Sequence, residues 1–120
     1  MAAVGATGWK YPWGNEFDPT RLNASQGGTQ RVGSRPTGRS PCGAYDMAGN
    51  VWEWVNDWHQ SDYYAISPGT NPRGPTTGTH KALRGAAWDP SGGDSRSADR
   101  GALPPSSQGN SIGFRCARDA

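Results

Sequence analysis

The stretch Cys42-Gly-Ala-Tyr-Asp-Met-Ala-Gly-Asn-Val-Trp-Glu-Trp-Val-Asn-Asp-Trp58 decides how the rest of the chain reads. Residues 51–55 combine β-branched and aromatic types, the composition of a strand, and Gly49-Asn50 just ahead of them is a turn signal. Trp52, Trp54 and Trp58 share parity, so one face of this strand is heavily aromatic and Glu53 points to the other. Upstream, Gly8-Trp-Lys-Tyr-Pro-Trp-Gly-Asn15 carries rings at positions 9, 11 and 13, the alternation that lines one face of an extended segment before Pro12 and Gly14 force a turn. Asn15 to Ser40 has no hydrophobic period and reads as a long surface loop with one short strand at Gln30 to Gly33. Downstream, a second loop from Gln60 to His80 is broken by Pro68, Pro72 and Pro75. Ala82-Leu-Arg-Gly-Ala-Ala-Trp88 follows as a buried strand and Ile112-Gly-Phe-Arg-Cys-Ala-Arg118 as a terminal one, with the polar stretch Asp89 to Ser111 between them. Helix is expected only as short pieces in the loops.

A chain of 120 residues suits one domain. Its 18 glycines and 10 prolines approach a disordered composition, but six tryptophans and four tyrosines are far more than a disordered chain carries. The expectation is a loop-rich globular domain whose core is aromatic rather than aliphatic. Twelve basic and ten acidic side chains are scattered without a run, which argues against a nucleic-acid partner. No stretch nears the roughly 20 apolar residues that cross a bilayer, so membrane insertion is not expected, and the N-terminus lacks the pattern of a leader. Cys42 and Cys116 are compatible with one long disulfide or with two buried thiols; without a CxxC, a cysteine zinc site is excluded.

Five ordered blocks carry a resemblance: Tyr11-Pro-Trp-Gly-Asn15, Tyr45-Asp-Met-Ala-Gly-Asn-Val-Trp-Glu-Trp54, Leu83-Arg-Gly-Ala-Ala-Trp88, Arg96-Ser-Ala-Asp-Arg100 and Gly113-Phe-Arg-Cys-Ala117. Together they resemble the formylglycine-generating-enzyme, or sulfatase-modifying-factor, domain. The resemblance implies an α+β fold of the irregular C-type lectin type, with short antiparallel strands, little helix and many loops. It spans residues 1–120 as a single domain, minimal or truncated on its N-terminal side. Members of that family that oxidise a substrate cysteine hold copper with a cysteine pair between the Arg-Gly and Arg-Ser-Ala blocks, and a soft ion such as Cu(I) needs thiolates. Here that interval reads Trp88-Asp-Pro-Ser-Gly-Gly-Asp-Ser95, and no cysteine occurs from Gly43 to Arg115. Copper and the family's oxidation are therefore not expected. His59 and His80 fall in no ligand pattern, and no catalytic residue is assigned.

The resemblance further implies calcium at the central block, held by the carboxylates of Asp46 and Glu53 and the carbonyls of Gly49 and Val51, a set of oxygens that suits a hard cation. The plainer alternative has Asp46 capping a turn and Glu53 solvated. The interior of 89–111 resembles the variable region of diversity-generating-retroelement proteins, in which adenine-directed mutagenesis randomises surface positions of a rigid lectin-type scaffold. Matching positions are Asp89, Pro90, Ser91, Gly93, Asp94, Asp99, Gly101, Leu103, Ser107, Gly109 and Ser111, with Trp88, Arg96 and Arg100 as framework; the two arginines are expected to pair with carboxylates or carbonyls there. The function so implied is a non-catalytic, receptor-type domain that docks a protein or glycan, on a phage particle or a cell surface. A degenerate oxidoreductase relative and a purely structural domain are the alternatives.

Overall fold

The computed structural model describes residues 3–89 and 95–117. Strand β1, Trp52–Trp58, is the expected tryptophan-rich segment. It pairs antiparallel with β2, Lys81–Arg84, placing Glu53 opposite Arg84 and Trp54 opposite Leu83; the register then shifts between Trp54 and Trp58. On the far side of β2 lies β3, Arg100–Leu103, antiparallel to it, and on the far side of β1 lies β4, Ile112–Gly113. The order is β3-β2-β1-β4. Regular helix among the described residues amounts to one 3-10 turn at Pro36–Gly38 and one α-helical turn, α1, at Tyr63–Ile66. The fold is thus α+β, with short strands and many loops.

Several elements differ from the sequence reading. Strand β4 runs parallel to β1 rather than antiparallel, because the chain leaves β3 at one edge of the sheet and crosses to the other. Strand β2 stops at Arg84 instead of reaching Trp88: Gly85 and Ala86 have φ of 93° and 59°, and this left-handed pair turns the chain out of the sheet. No strand forms at 30–33, where Ser34 N–H closes a turn onto the Arg31 carbonyl. Residues 9–13 bend rather than extend; Tyr11 and Gly14 exchange both backbone hydrogen bonds, and the Tyr11 and Trp13 rings stack 5.4 Å apart at 7°. Strand β3 was not expected within the polar stretch.

The core also differs. Its buried apolar residues are Tyr11, Leu22, Ala48, Ala82, Leu83, Ala86 and Ala87, so apart from the Tyr11 ring the centre is filled by aliphatic side chains. Tryptophan is seldom fully enclosed because of its size, and in so small and loop-rich a domain Trp52, Trp54, Trp58 and Trp88 are half-buried around the aliphatic centre. Trp52 packs beside Leu83 under β3; a Cβ placed on Gly101 would meet Leu83 Cδ1 at 3.5 Å and Trp52 Cζ3 at 3.6 Å. Neither cysteine is a buried thiol: Cys42 and Cys116 are both exposed and not joined to each other.

Candidate functional site

The turn before β1 is where the loops meet. Gly49 sits at φ 78°, and a Cβ there would fall 2.6 Å from the Asn23 carbonyl oxygen, so only glycine lets the two backbones come this close. Gly49 N–H donates to the Gly85 carbonyl at 2.7 Å and Asn50 N–H to the Asn23 carbonyl at 2.9 Å, while the Asn50 carbonyl accepts from Trp88 N–H at 3.0 Å. Asn50, at φ 72° and almost fully buried, presents its Oδ1 to Asn23 Nδ2 at 3.0 Å and to Gln30 N–H at 2.9 Å. The Gly-Asn pair thereby ties the 23–30 loop and the 85–88 turn to the start of β1. The sequence marks Asn50 as a turn residue, but nothing in it says which loops the amide binds.

Beside this turn a cavity of about 490 Å³ is lined by Asp46, Val51, Glu53 and Arg115, among others. Arg115 forks onto Glu53, with Nε donating to Oε2 at 2.6 Å and Nη2 to Oε1 at 2.5 Å. The same guanidinium donates to the carbonyls of Tyr45 and Asp46, both at 3.0 Å. Its bond with Glu53 raises the Arg115 pKa above the ordinary arginine value, against the opposing pull of desolvation. Asp46, at φ 54°, accepts Gly33 N–H on Oδ2 at 2.7 Å. Glu53 is therefore paired rather than solvated, and Asp46 does hold a turn.

Of the four residues read as calcium ligands, Asp46, Val51 and Glu53 line this one cavity, and Gly49 precedes it in the turn. A carboxylate offers about four lone-pair sites, so a bidentate arginine leaves Glu53 two in hand. The oxygen set fits a hard cation, but Arg115 pairs with Glu53 and its charge also acts on Asp46, so the guanidinium already offsets part of the carboxylate charge here. Calcium affinity falls as the negative charge of the ligand set is reduced, so these oxygens would hold the ion only weakly. Among the described residues no group of three or more His, Cys, Asp or Glu side chains is placed to hold a metal. His59 and His80 meet through backbone, His59 N–H donating to the His80 carbonyl at 2.8 Å.

The 89–111 stretch divides. Pro90, Ser91, Gly93 and Asp94 lie outside the described residues. Asp99 is engaged in a local turn, accepting Arg96 N–H on Oδ2 at 2.9 Å and Arg96 Nε on Oδ1 at 3.2 Å. Arg96 is thus the paired framework residue expected of it, whereas Arg100 lies over the Tyr64 ring, its guanidinium carbon 5.2 Å from the centroid. Asp89, Gly101, Leu103, Ser107 and Ser111 are half-buried, and of the described candidates Gly109 is the exposed one. The exposed residues around it are Pro104, Pro105, Ser106, Gln108 and Asn110, which the sequence reading did not single out. Their signal was present in the polar character of the segment, but the positions facing solvent depend on where β3 ends. Fixed bonds frame this loop: Trp52 N–H to the Ser111 carbonyl at 2.8 Å, Trp88 Nε1 to the Asn110 carbonyl at 3.4 Å, and Ser107 N–H to the Pro104 carbonyl at 2.9 Å.

Residues 1–120 match the family described as the sulfatase-modifying factor enzyme 1-like domain. The chain belongs to that family. Among solved structures, Treponema denticola variable protein 1 superposes with a TM-score of 0.77 at 25% identity, covering 94% of this chain and 42% of that one. PvdO from Pseudomonas aeruginosa gives a TM-score of 0.75 at 30% identity, covering 94% and 46%. The C-type lectin-like fold and the likeness to a variable protein, both read from sequence, are therefore met in solved relatives. Formylglycine-generating enzyme of Streptomyces coelicolor is 38% identical over 139 residues, 99% of this chain and 43% of its own length. Inactive C-alpha-formylglycine-generating enzyme 2 of Bos taurus is 34% identical over 137 residues, 99% of this chain and 40% of its own. Serine/threonine-protein kinase pkn1 of Chlamydia caviae is 40% identical over 116 residues, which are 95% of this chain and 18% of the kinase. The chain spans less than half of each of these relatives, and they include members named as active and as inactive.

Proposed function

We propose that this sulfatase-modifying-factor domain is a non-catalytic binding module of the diversified, variable-protein kind, docking a protein or glycan through the loop that joins β3 to β4. The observation that carries this reading is the contrast within 104–111: exposed residues at Pro104, Pro105, Ser106, Gln108, Gly109 and Asn110 on a backbone fixed by Trp52, Trp88 and the Pro104–Ser107 turn. Binding residues mounted on a rigid frame are the usual arrangement of recognition loops. A Cβ on Gly109 would meet Ile112 Cδ1 at 3.6 Å, an ordinary contact, so that position accepts a side chain. The likeness to Treponema denticola variable protein 1 supports the same reading, and display on a phage particle or cell surface suits it.

The non-catalytic half rests on chemistry. The thiolates that would hold Cu(I) are missing between Trp88 and Arg96, and an exposed Cys42 and Cys116 outside that interval do not replace them. Incubation with copper and a cysteine-containing peptide is expected to give no formylglycine by mass spectrometry; turnover would return the domain to the oxidoreductases. Calcium, in this proposal, is a weak structural ion held by Asp46, Glu53 and the Gly49 and Val51 carbonyls, and its role is to neutralise carboxylate charge at the turn.

A further inference from the structure

Glu53, Arg84 and Arg100 stand directly opposite one another across β1, β2 and β3. Such a row would ordinarily be neutralised in pairs, since like charges opposed across a sheet are unfavourable. Here Arg115 takes both carboxylate oxygens of Glu53 from the other side. Arg84 is left to donate Nη1 to the carbonyls of Ala98 and Asp99, at 2.8 and 3.2 Å. Arg100 is left with the Tyr64 ring alone, and its buried Nε has no hydrogen-bond partner. Neither Arg84 nor Arg100 forms an ion pair among the described residues. An unpartnered buried N–H on a charged group is costly, and two cross-strand arginines that form no ion pair among the described residues compound it.

Both residues line a cavity of about 170 Å³ together with Asp57, Trp58, Tyr63, Tyr64 and the 72–75 loop. The volume is below the roughly 300 Å³ at which pockets for drug-sized ligands begin, so it suits one acid group on a ring-sized body. We propose that Arg84 and Arg100 form a binding site for a small organic monocarboxylate, its acid group between the two guanidiniums and its apolar body against the rings. The planar fork of arginine matches a carboxylate, and aromatic walls complement a flat apolar body. Asp57 sets the charge preference: its carboxylate disfavours dianions such as sulfate. The site lies on the α1 side of β3, apart from the 104–111 loop, and is independent of that loop's role.

Benzoate is the probe, with benzamide as its neutral isostere and potassium sulfate at matched ionic strength as the anion control. Binding is read from the arginine Nε–Hε signals by NMR and from calorimetry. Benzoate is expected to saturate and to shift the Arg84 and Arg100 signals, whereas benzamide and sulfate do neither. Arg100→Gln should weaken benzoate at least tenfold, while Arg31→Gln, exposed and outside this cavity's lining, leaves it unchanged. The Arg100→Gln protein should melt at or above the wild-type temperature, because an unpaired charge has been removed, which separates lost binding from lost folding. N-acetylphenylalanine distinguishes the source of the carboxylate: binding comparable to benzoate points to a peptide C-terminus, benzoate alone to a free acid. No saturable benzoate binding, or equal binding by Arg100→Gln, overturns the site.

Discussion

Asn50 carries two separable burdens, and substitution can weigh them. Its backbone is left-handed at φ 72°, which costs a residue with an ordinary Cβ roughly 1–2 kcal/mol. Its Oδ1 also accepts two hydrogen bonds that nothing else would satisfy. Asn50→Gly keeps the backbone and loses the bonds; Asn50→Ala loses the bonds and strains the backbone. Urea unfolding should therefore find Asn50→Ala less stable than Asn50→Gly by about 1–2 kcal/mol. Equal stabilities would mean the left-handed turn is not maintained in solution. Arg115 sets the second prediction. Because it already neutralises Glu53, removing calcium with a chelator should lower the melting temperature only slightly, and Asp46→Ala should abolish that sensitivity. A large chelator effect would mean the guanidinium yields Glu53 to the metal; none at all would retire the ion and leave Arg115 as the cation of this turn.

Strands β2 and β3 differ in what they support, although each has four residues. Strand β2 is interior to the sheet and Leu83 is 2% exposed, so Leu83→Ala should cost about 2–5 kcal/mol in chemical denaturation. Leu103 is half-buried on the edge strand, and Leu103→Ala should cost about 1 kcal/mol or less. A reversal of that order would place the sheet's interior elsewhere. The same contrast explains what the sequence made legible. Strand β1 was readable because its β-branched and tryptophan residues allow few other conformations, whereas of the terminal strand expected over 112–118 only Ile112–Gly113 pairs with β1. Strand β3, Arg-Gly-Ala-Leu, has no strand-forming residue type and exists because β2 offers an open edge to it. The end of β2 was misjudged because Ala86 adopts a glycine-like φ that its identity does not announce. Site residues followed the same rule: Asp46, Val51 and Glu53 were legible as a local block, whereas the Glu53–Arg115 fork joins residues 62 positions apart.

The whole molecule is a sheet of four short strands, with the 23–30 loop and the 85–88 turn both bonded to the Gly49-Asn50 turn that leads into β1. Such a scaffold separates positions that must be kept from positions that need not be. Gly49, Asn50, Trp88 and Arg115 each satisfy backbone or charge that would otherwise be left buried and unpaired. Ser106, Gln108, Gly109 and Asn110 are exposed, and their side chains form none of the bonds that frame the loop. Diversification by a retroelement would exploit that division, changing the second set while sparing the first. Deep sequencing of the locus across a population of its host measures this directly. Substitutions should concentrate between Asp89 and Ser111, be richest at exposed loop positions such as Gln108, Gly109 and Asn110, spare Trp88 and Arg96, and match adenines in a nearby template repeat. A uniform sequence through 89–111, or substitutions spread evenly over framework and loop, would contradict the diversified binding module.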